Sequence, residues 1–439
     1  MTLNKKSRSI RRLFAVTVGA LTAATLVVGT GTAHAEDRTY VPNDVFERHL
    51  IWLGLDSGEL DDYVPTKNIV NVKSLDLSNL RDLGASSGLE GINGFKSLET
   101  LNLTNVTSLD SLSIGEYYGI LGGATRSKLK SLIVTGSKIR SITLRGTQLT
   151  TLDLSGNVNL VGVEVSNSPL SSINLRGAIN IESLTLNNNQ LTSVDLSSQT
   201  NLTYLNMPSN KLSTVNLDNA PRLTSLYLGN NRLTSLNVSK NVKLENIEVS
   251  KNKLKNIDVT ALPMLKYLSA TENTISSIDL SKNTSLESLS LTSNRLKKLD
   301  ISKNVELRIL MVGDNHLRAL NISTAPFLNW LTISVNNISK ISLANNTDLQ
   351  IVNVANNPIA QLDVAELSDL MGLDIRNTKI RMLDLRNTLV QNEETMWFIE
   401  GALGLDSRGT SAKVLVNSPE LARLAWQSKT GANVTFATK

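Results

Sequence analysis

Apolar residues recur along this chain at one fixed step. Leu160, Ile181, Leu202, Leu223, Leu244, Leu265, Leu286, Leu307, Leu328, Leu349 and Leu370 stand 21 residues apart, with none gained or lost between them. Each step divides into two shorter patterns. From Leu202 the first reads LTYLNMPSNK and the second LSTVNLDNAPR. The first half generally follows L-x-x-L-x-L-x-x-N-x, and the second L-x-x-L-D-L-S-x-N-x-x. In both, the fourth and sixth positions are apolar and their neighbours mostly polar. That alternation is the period of an extended chain, whose successive side chains point to opposite faces. A short parallel strand is therefore expected in both halves of each coil. One coil cannot bury its own apolar face, so neighbouring coils must stack and bury it jointly.

Upstream the halves run less regularly. Leu149, Ile139 and Leu129 step back by ten, Leu98 and Leu109 begin earlier halves, and Val72, Leu75 and Leu77 start the first coil. Gly115 to Lys128, with Tyr117, Tyr118 and Gly122-Gly123, interrupts the spacing and reads as a loop or short helix bulging from one edge. An open apolar end invites aggregation, so covers are expected at both ends. Pro42-Asn43-Asp44 looks like a helix start, after which Val45, Phe46, His49, Leu50 and Leu53 fall on one helical face. Past Leu385 the step fails. Helices are expected from Asn392, with Trp397 and Phe398, and from Ser418, with Leu421, Leu424 and Trp426; strands are expected at Lys413–Val416 and around Val434 and Phe436. The expected organisation is an export signal at 1–35, a helical cap at 36–71, a solenoid at 72–388 and an α/β cap at 389–439.

The export signal rests on three features. Lys5, Lys6, Arg8, Arg11 and Arg12 are basic, Leu13 to Val28 are mostly apolar and small, and Ala33-His34-Ala35 offers a cleavage site. The apolar run is short for a membrane span. Removing residues 1–35 takes five of the 44 basic residues and none of the 39 acidic ones, leaving 39 against 39. Basic charge therefore gives no reason to expect nucleic acid or an anionic membrane as partner. The chain has no cysteine, which excludes disulfides, thiolate chemistry and cysteine-bound zinc. Of its three histidines, His34 leaves with the signal, and His49 and His316 lie far apart in sequence. No nucleophile elbow, nucleotide loop or metalloprotease helix motif is present, so neither an enzyme nor a cofactor is expected.

Two polar ladders accompany the leucines. The first half carries asparagine in nine consecutive coils: Asn189, Asn210, Asn231, Asn252, Asn273, Asn294, Asn315, Asn336 and Asn357, with Thr378 in the last. Asparagine bonds nearby backbone and tolerates sharp bends, so this row is read as structural rather than as a binding row. The second half repeats Asp, Asn or Ser at its fifth position, from Asp153 through Asp279 and Ser342 to Asp384. Calcium is the functional alternative for this row, but the glycine-rich loop of calcium-binding β-helices is missing.

The two-half, 21-residue repeat resembles the short bacterial leucine-rich repeats of secreted and surface proteins, the internalins of Gram-positive pathogens among them. The resemblance covers roughly Val72 to Leu385, and the entry segment VPNDVFERHLIWLGL also looks like the cap helix of such proteins. It implies a leucine-rich-repeat solenoid, curved and right-handed, with a parallel sheet on its concave face. It also implies binding of host or neighbouring-cell proteins, a role that depends on sites and not on fold. The chain departs from wall-attached members in showing no wall-sorting motif and no immunoglobulin-like module.

Outward strand positions separate scaffold from recognition. In the second halves they are mostly Ser, Asp, Asn and Thr, whereas in the first halves they vary. Tyr204, Tyr227, Tyr267, Ile309, Met311, Trp330 and Ile351 fall at such outward first-half positions. Large apolar residues that must face solvent, and aromatics and Met in particular, are the composition of interface cores. These seven form the candidate partner-binding face. The expectation is a secreted, non-enzymatic, monomeric binder of a protein partner, with a host-cell surface protein as one candidate. The alternatives are a glycan binder, a structural envelope component, or residues that simply pack on one another.

Overall fold

The computed structural model describes residues 38–83, 88–115, 126–388, 404–406, 413–415 and 435–437. The export signal, the helices expected after Asn392 and Ser418, and most of the Gly115–Lys128 interruption lie outside the described residues. The first halves build a single sheet of 14 strands. It runs from Ser111–Ile114 through Tyr204–Asn206 and Trp330–Thr332 to Gly372–Asp374, and its last member is Gly404–Asp406. Neighbours pair in parallel and in register. Across the regular array each residue faces the one 21 positions on: Tyr204 pairs with Ser225, Leu205 with Leu226 and Asn206 with Tyr227. The repeat length is therefore also the register of the sheet.

Alternation then divides the two faces. Leu205, Leu226, Leu268, Leu289, Leu310 and Leu331 are fully buried, as are the anchors Leu202 to Leu349 that precede them. Burying a leucine side chain is worth roughly 2 kcal/mol, and here each is buried by the coil before and the coil after. The expected solenoid is what forms.

The second halves depart from expectation. Strands occur there at Ser74–Asp76, Thr100–Asn102, Ser131–Ile133, Thr151–Asp153 and Ser172–Asn174, and again at Met382–Asp384, Lys413–Leu415 and Thr435–Ala437. Between Asn174 and Met382 the second halves contain no strand. Local propensity does not explain the gap, because LTTLDL at 149–154 and LTSVDL at 191–196 are nearly the same. The difference lies in stacking. Thr151–Asp153 and Ser172–Asn174 are joined by Leu154 N–H to Asn174 O and Ser171 N–H to Thr150 O. In the middle coils the recurring backbone-to-backbone link is a single one at the start of the half, such as Lys211 N–H to Leu191 O at 2.8 Å.

At the entry, helix α1 (Asp44–Trp52) begins where the Pro-Asn-Asp signal places it, with the Asn43 side chain accepting the Phe46 amide at 2.9 Å. Phe46 and Leu50 are fully buried, and the Phe46 ring lies 6.3 Å from that of Phe95. Leu53, expected on the same face, is the C-cap residue and is 40% exposed. After residue 388 the described strands extend both sheets: Gly404–Asp406 pairs with Gly372–Asp374, and Lys413–Leu415 with Met382–Asp384.

Candidate partner-binding face

The seven predicted residues all stand on strands of the long sheet at positions flanking buried ones, and each is partly exposed. They do not form one continuous patch. Ile309, Trp330 and Ile351 are register partners on three successive strands, about 4.8 Å apart by strand spacing. Met311 lies two residues beyond Ile309 on the same face. These four make one aliphatic and indole cluster. The Trp330 ring is held along its own strand, with Nε1 donating to Thr332 Oγ1 at 3.1 Å.

Two of the tyrosines form a second cluster. Tyr204 and Tyr227 meet at 5.6 Å between ring centres, tilted by 45°. Asn206 Nδ2 donates to the Tyr204 hydroxyl at 3.2 Å. Tyr267 stands two strands beyond Tyr227 and is 36% exposed. Burial, and secondarily the neighbouring Tyr227, pushes the Tyr204 phenol above its usual pKa; burial does the same at Tyr267. Between the clusters runs Ser288–Ser290, whose outward residues are both serine. That strand forms a low step in the face.

Charged groups are few on this face. Arg145 and Glu164 form a bidentate pair, Nε to Oε1 at 2.6 Å and Nη2 to Oε2 at 2.7 Å. Arg376 grips Asp374 in the same way, at 2.9 and 2.7 Å. Glu248, on the strand after Tyr227, has no ion-pair partner among the described residues; its Oε1 accepts the Ser250 amide at 2.9 Å.

The polar ladders are occupied by the backbone. Asn210 shows the pattern: Nδ2 donates to Leu186 O of the previous coil at 2.8 Å and to Met207 O of its own at 3.2 Å, while Oδ1 accepts the Leu191 amide at 3.0 Å. Asn252 repeats it with Leu228 O, Val249 O and Leu233 N–H, and Asn336 with Val312 O, Ile333 O and Leu317 N–H. In the second ladder each carboxylate accepts the amide two residues on, as Asp195 does from Ser197 at 2.9 Å and Asp279 from Ser281 at 2.9 Å. These Asx turns account for the row. Hydrogen bonds from Ser281 hold the Asp279 carboxyl below its ordinary pKa, as Ser197 does for Asp195. Among the described residues no group of three or more His, Asp or Glu side chains is placed to hold a metal ion.

Two features escaped the sequence reading. A further buried amide row, Gln199, Asn241, Asn283, Asn304 and Asn346, occupies the ninth position of the second half. Its signal is the asparagine of the second-half pattern. Asn304 Nδ2 donates to Leu280 O at 3.1 Å and Asn283 O at 2.8 Å, but the Oδ1 atoms of Asn283, Asn304 and Asn346 accept no hydrogen bond from any described residue. The second feature is a left-handed residue before each ladder asparagine. From Asn188 to Asn377 its φ stays between 51 and 56°, and the side chain is polar in every coil but one. The exception is Val335, β-branched and 46% exposed, for which this conformation is strained.

No family model matches the chain, and no curated protein matches it in sequence. Solved structures do match its fold. The functional domain of InlJ from Listeria monocytogenes, described as including a cysteine ladder, aligns with a TM-score of 0.58 at 21% identity. That alignment covers 86% of this chain and 82% of that domain's chain. The Leptospira interrogans LRR protein LIC12759 aligns with a TM-score of 0.50 at 20% identity, over 73% of this chain and 86% of the other. This chain has no cysteine, and its own buried ladders are built from amides. The chain has the leucine-rich-repeat solenoid fold shared by an internalin and a Leptospira repeat protein.

Proposed function

We propose that this chain is a secreted, non-enzymatic binding protein that docks a protein partner on its long sheet. One observation carries the reading: the outward rows of the sheet hold two clusters of large aromatic and aliphatic residues, where the second halves present serine, threonine and Asx. Tyr, Trp and Met are enriched at interface centres. The sheet side is also where the coils are hydrogen-bonded most closely, so it is rigid and gives up little freedom on binding. Trp330, flanked by Ile309 and Ile351, is the expected anchor. Export rests on the basic, apolar and small-residue succession of residues 1–35, and a host-cell surface protein is the partner class proposed from the internalin-like repeat.

The test is a parallel pull-down on host-cell surface proteins and on cell-wall polysaccharide, using wild type, Trp330→Ala and Tyr227→Ala. Truncating a central interface anchor is expected to cost about 2 kcal/mol, roughly a thirtyfold loss of affinity. Retention of a protein that Trp330→Ala abolishes supports the reading. Retention by polysaccharide alone replaces the protein partner with a glycan. Equal retention by wild type and both variants rules out this face.

A further inference from the structure

Among the described side chains of the sheet face, one carboxylate has no cation, and it stands among tyrosines. Glu164 and Asp374, on the same face, are each clamped by two hydrogen bonds from an arginine of the chain itself. Glu248 is not. It pairs in register with Tyr227 on one side. On the other side lies the strand of Tyr267, whose phenol is close enough to feel both Glu248 and Tyr227 electrostatically. The carboxylate leans over Gly229, where any Cβ would collide with it, so the neighbouring strand leaves room for this one side chain. Among the described residues only the Ser250 amide engages it, at Oε1, which fixes the group without neutralising it.

We infer that Glu248, flanked by Tyr227 and Tyr267, receives a basic side chain of the partner, arginine before lysine. The inference rests on the proposed docking face and names the chemistry recognised at one end of it. Charge complementarity supplies the direction: a carboxylate with an open oxygen accepts a guanidinium through charge-assisted bonds. The aromatic faces on either side add cation–π attraction, and a planar guanidinium stacks on them better than an ammonium does. The apolar cluster around Trp330 lies beyond the serine step. A partner spanning both would then present a basic residue at one end and an apolar one at the other.

Selection from a random dodecapeptide display library on the immobilised full chain tests this. Peptides chosen by wild type are expected to be enriched in arginine or lysine and to bind Glu248→Gln about tenfold or more weakly. Glu248→Lys is expected to select acidic peptides instead, and raising salt is expected to weaken wild-type binding more than that of Glu248→Gln. Peptides that lose binding on Trp330→Ala but bind Glu248→Gln as tightly as wild type overturn this inference and leave the docking face standing. Peptides indifferent to Trp330→Ala, Tyr227→Ala and Glu248→Gln alike overturn both. Glu248→Gln keeps the size of the side chain and its acceptor for Ser250, so a folding defect is not expected; circular dichroism of each variant checks it.

Discussion

The two sides of the coil carry similar sequences and solve the same problem differently. On the first-half side a continuous sheet joins the coils, and its asparagine ladder both gives and accepts bonds. On the second-half side the strands lapse between Asn174 and Met382, and in the buried amide row Gln199, Asn283, Asn304 and Asn346 donate without accepting from any described residue. The first ladder holds asparagine in nine successive coils; the second interrupts its amides with Ala178, Ala220, Leu262, Ala325 and Leu367. A side chain that completes the hydrogen bonding of two coils is held through the nine coils from Asn189 to Asn357 and gives way to hydroxyls only outside them, at Ser168 and Thr378. One that satisfies carbonyls at the expense of its own oxygen can be exchanged for a small or apolar residue.

The sharpest test of this contrast compares one residue from each row. Asn252→Ala leaves the buried Leu233 amide without its acceptor and takes one of two amide donors from each of Leu228 O and Val249 O, and is expected to cost about 2–4 kcal/mol in urea denaturation. Asn304→Ala removes two donors but also a buried oxygen that has no bond, and about 1 kcal/mol is expected. Equal losses would mean that both rows hold the coils in the same way. A smaller effect of opposite sign is expected at Val335. Replacing it with Asn, which Asn188, Asn230 and Asn356 show to be compatible with this φ, should stabilise by about 1 kcal/mol. If denaturation instead shows Val335→Asn to be destabilising, the exposed valine has a packing role and the turn is not strained.

The smallest effect belongs to the Asx row. Asp195, Asp258, Asp279 and Asp300 have carboxyl pKa values lowered chiefly by hydrogen bonds from the residue two positions on. A depressed folded-state pKa gives stability that is complete above the unfolded value, about 3.9, and lost as pH falls through the folded one. The denaturation midpoint should therefore fall as pH drops below about 4. Asp279→Asn, the residue found at Asn216, Asn237 and Asn321, should flatten that fall while changing stability at neutral pH little. A midpoint independent of pH between about 5 and 3 would contradict the role given to these turns.

Sequence made the coil legible because the period, the inward leucines and the register are one fact stated three ways. The asparagine and Asx rows were legible because each residue type has few backbone bonds it can make at a bend. The lapse of the second-half strands was not. LTTLDL and LTSVDL do not differ in propensity, and strand pairing depends on how the coils stack. At the face, alternation placed all seven residues on outward positions, but it did not reveal the serine step that parts Tyr267 from Ile309. Glu248 was visible as an outward residue. Its lack of a cation became visible only beside Glu164 and Asp374, because an ion pair is a property of neighbours 19 residues away in one case and two in the other.

From Asn210 to Asn357 each asparagine of the first ladder reaches back by the same intervals, to the carbonyl 24 residues before it and to the amide 19 before it. Those intervals are blind to which coil they join. A recombination that deletes or duplicates any whole coil between Leu202 and Leu349 would hand every asparagine the same three partners it had before.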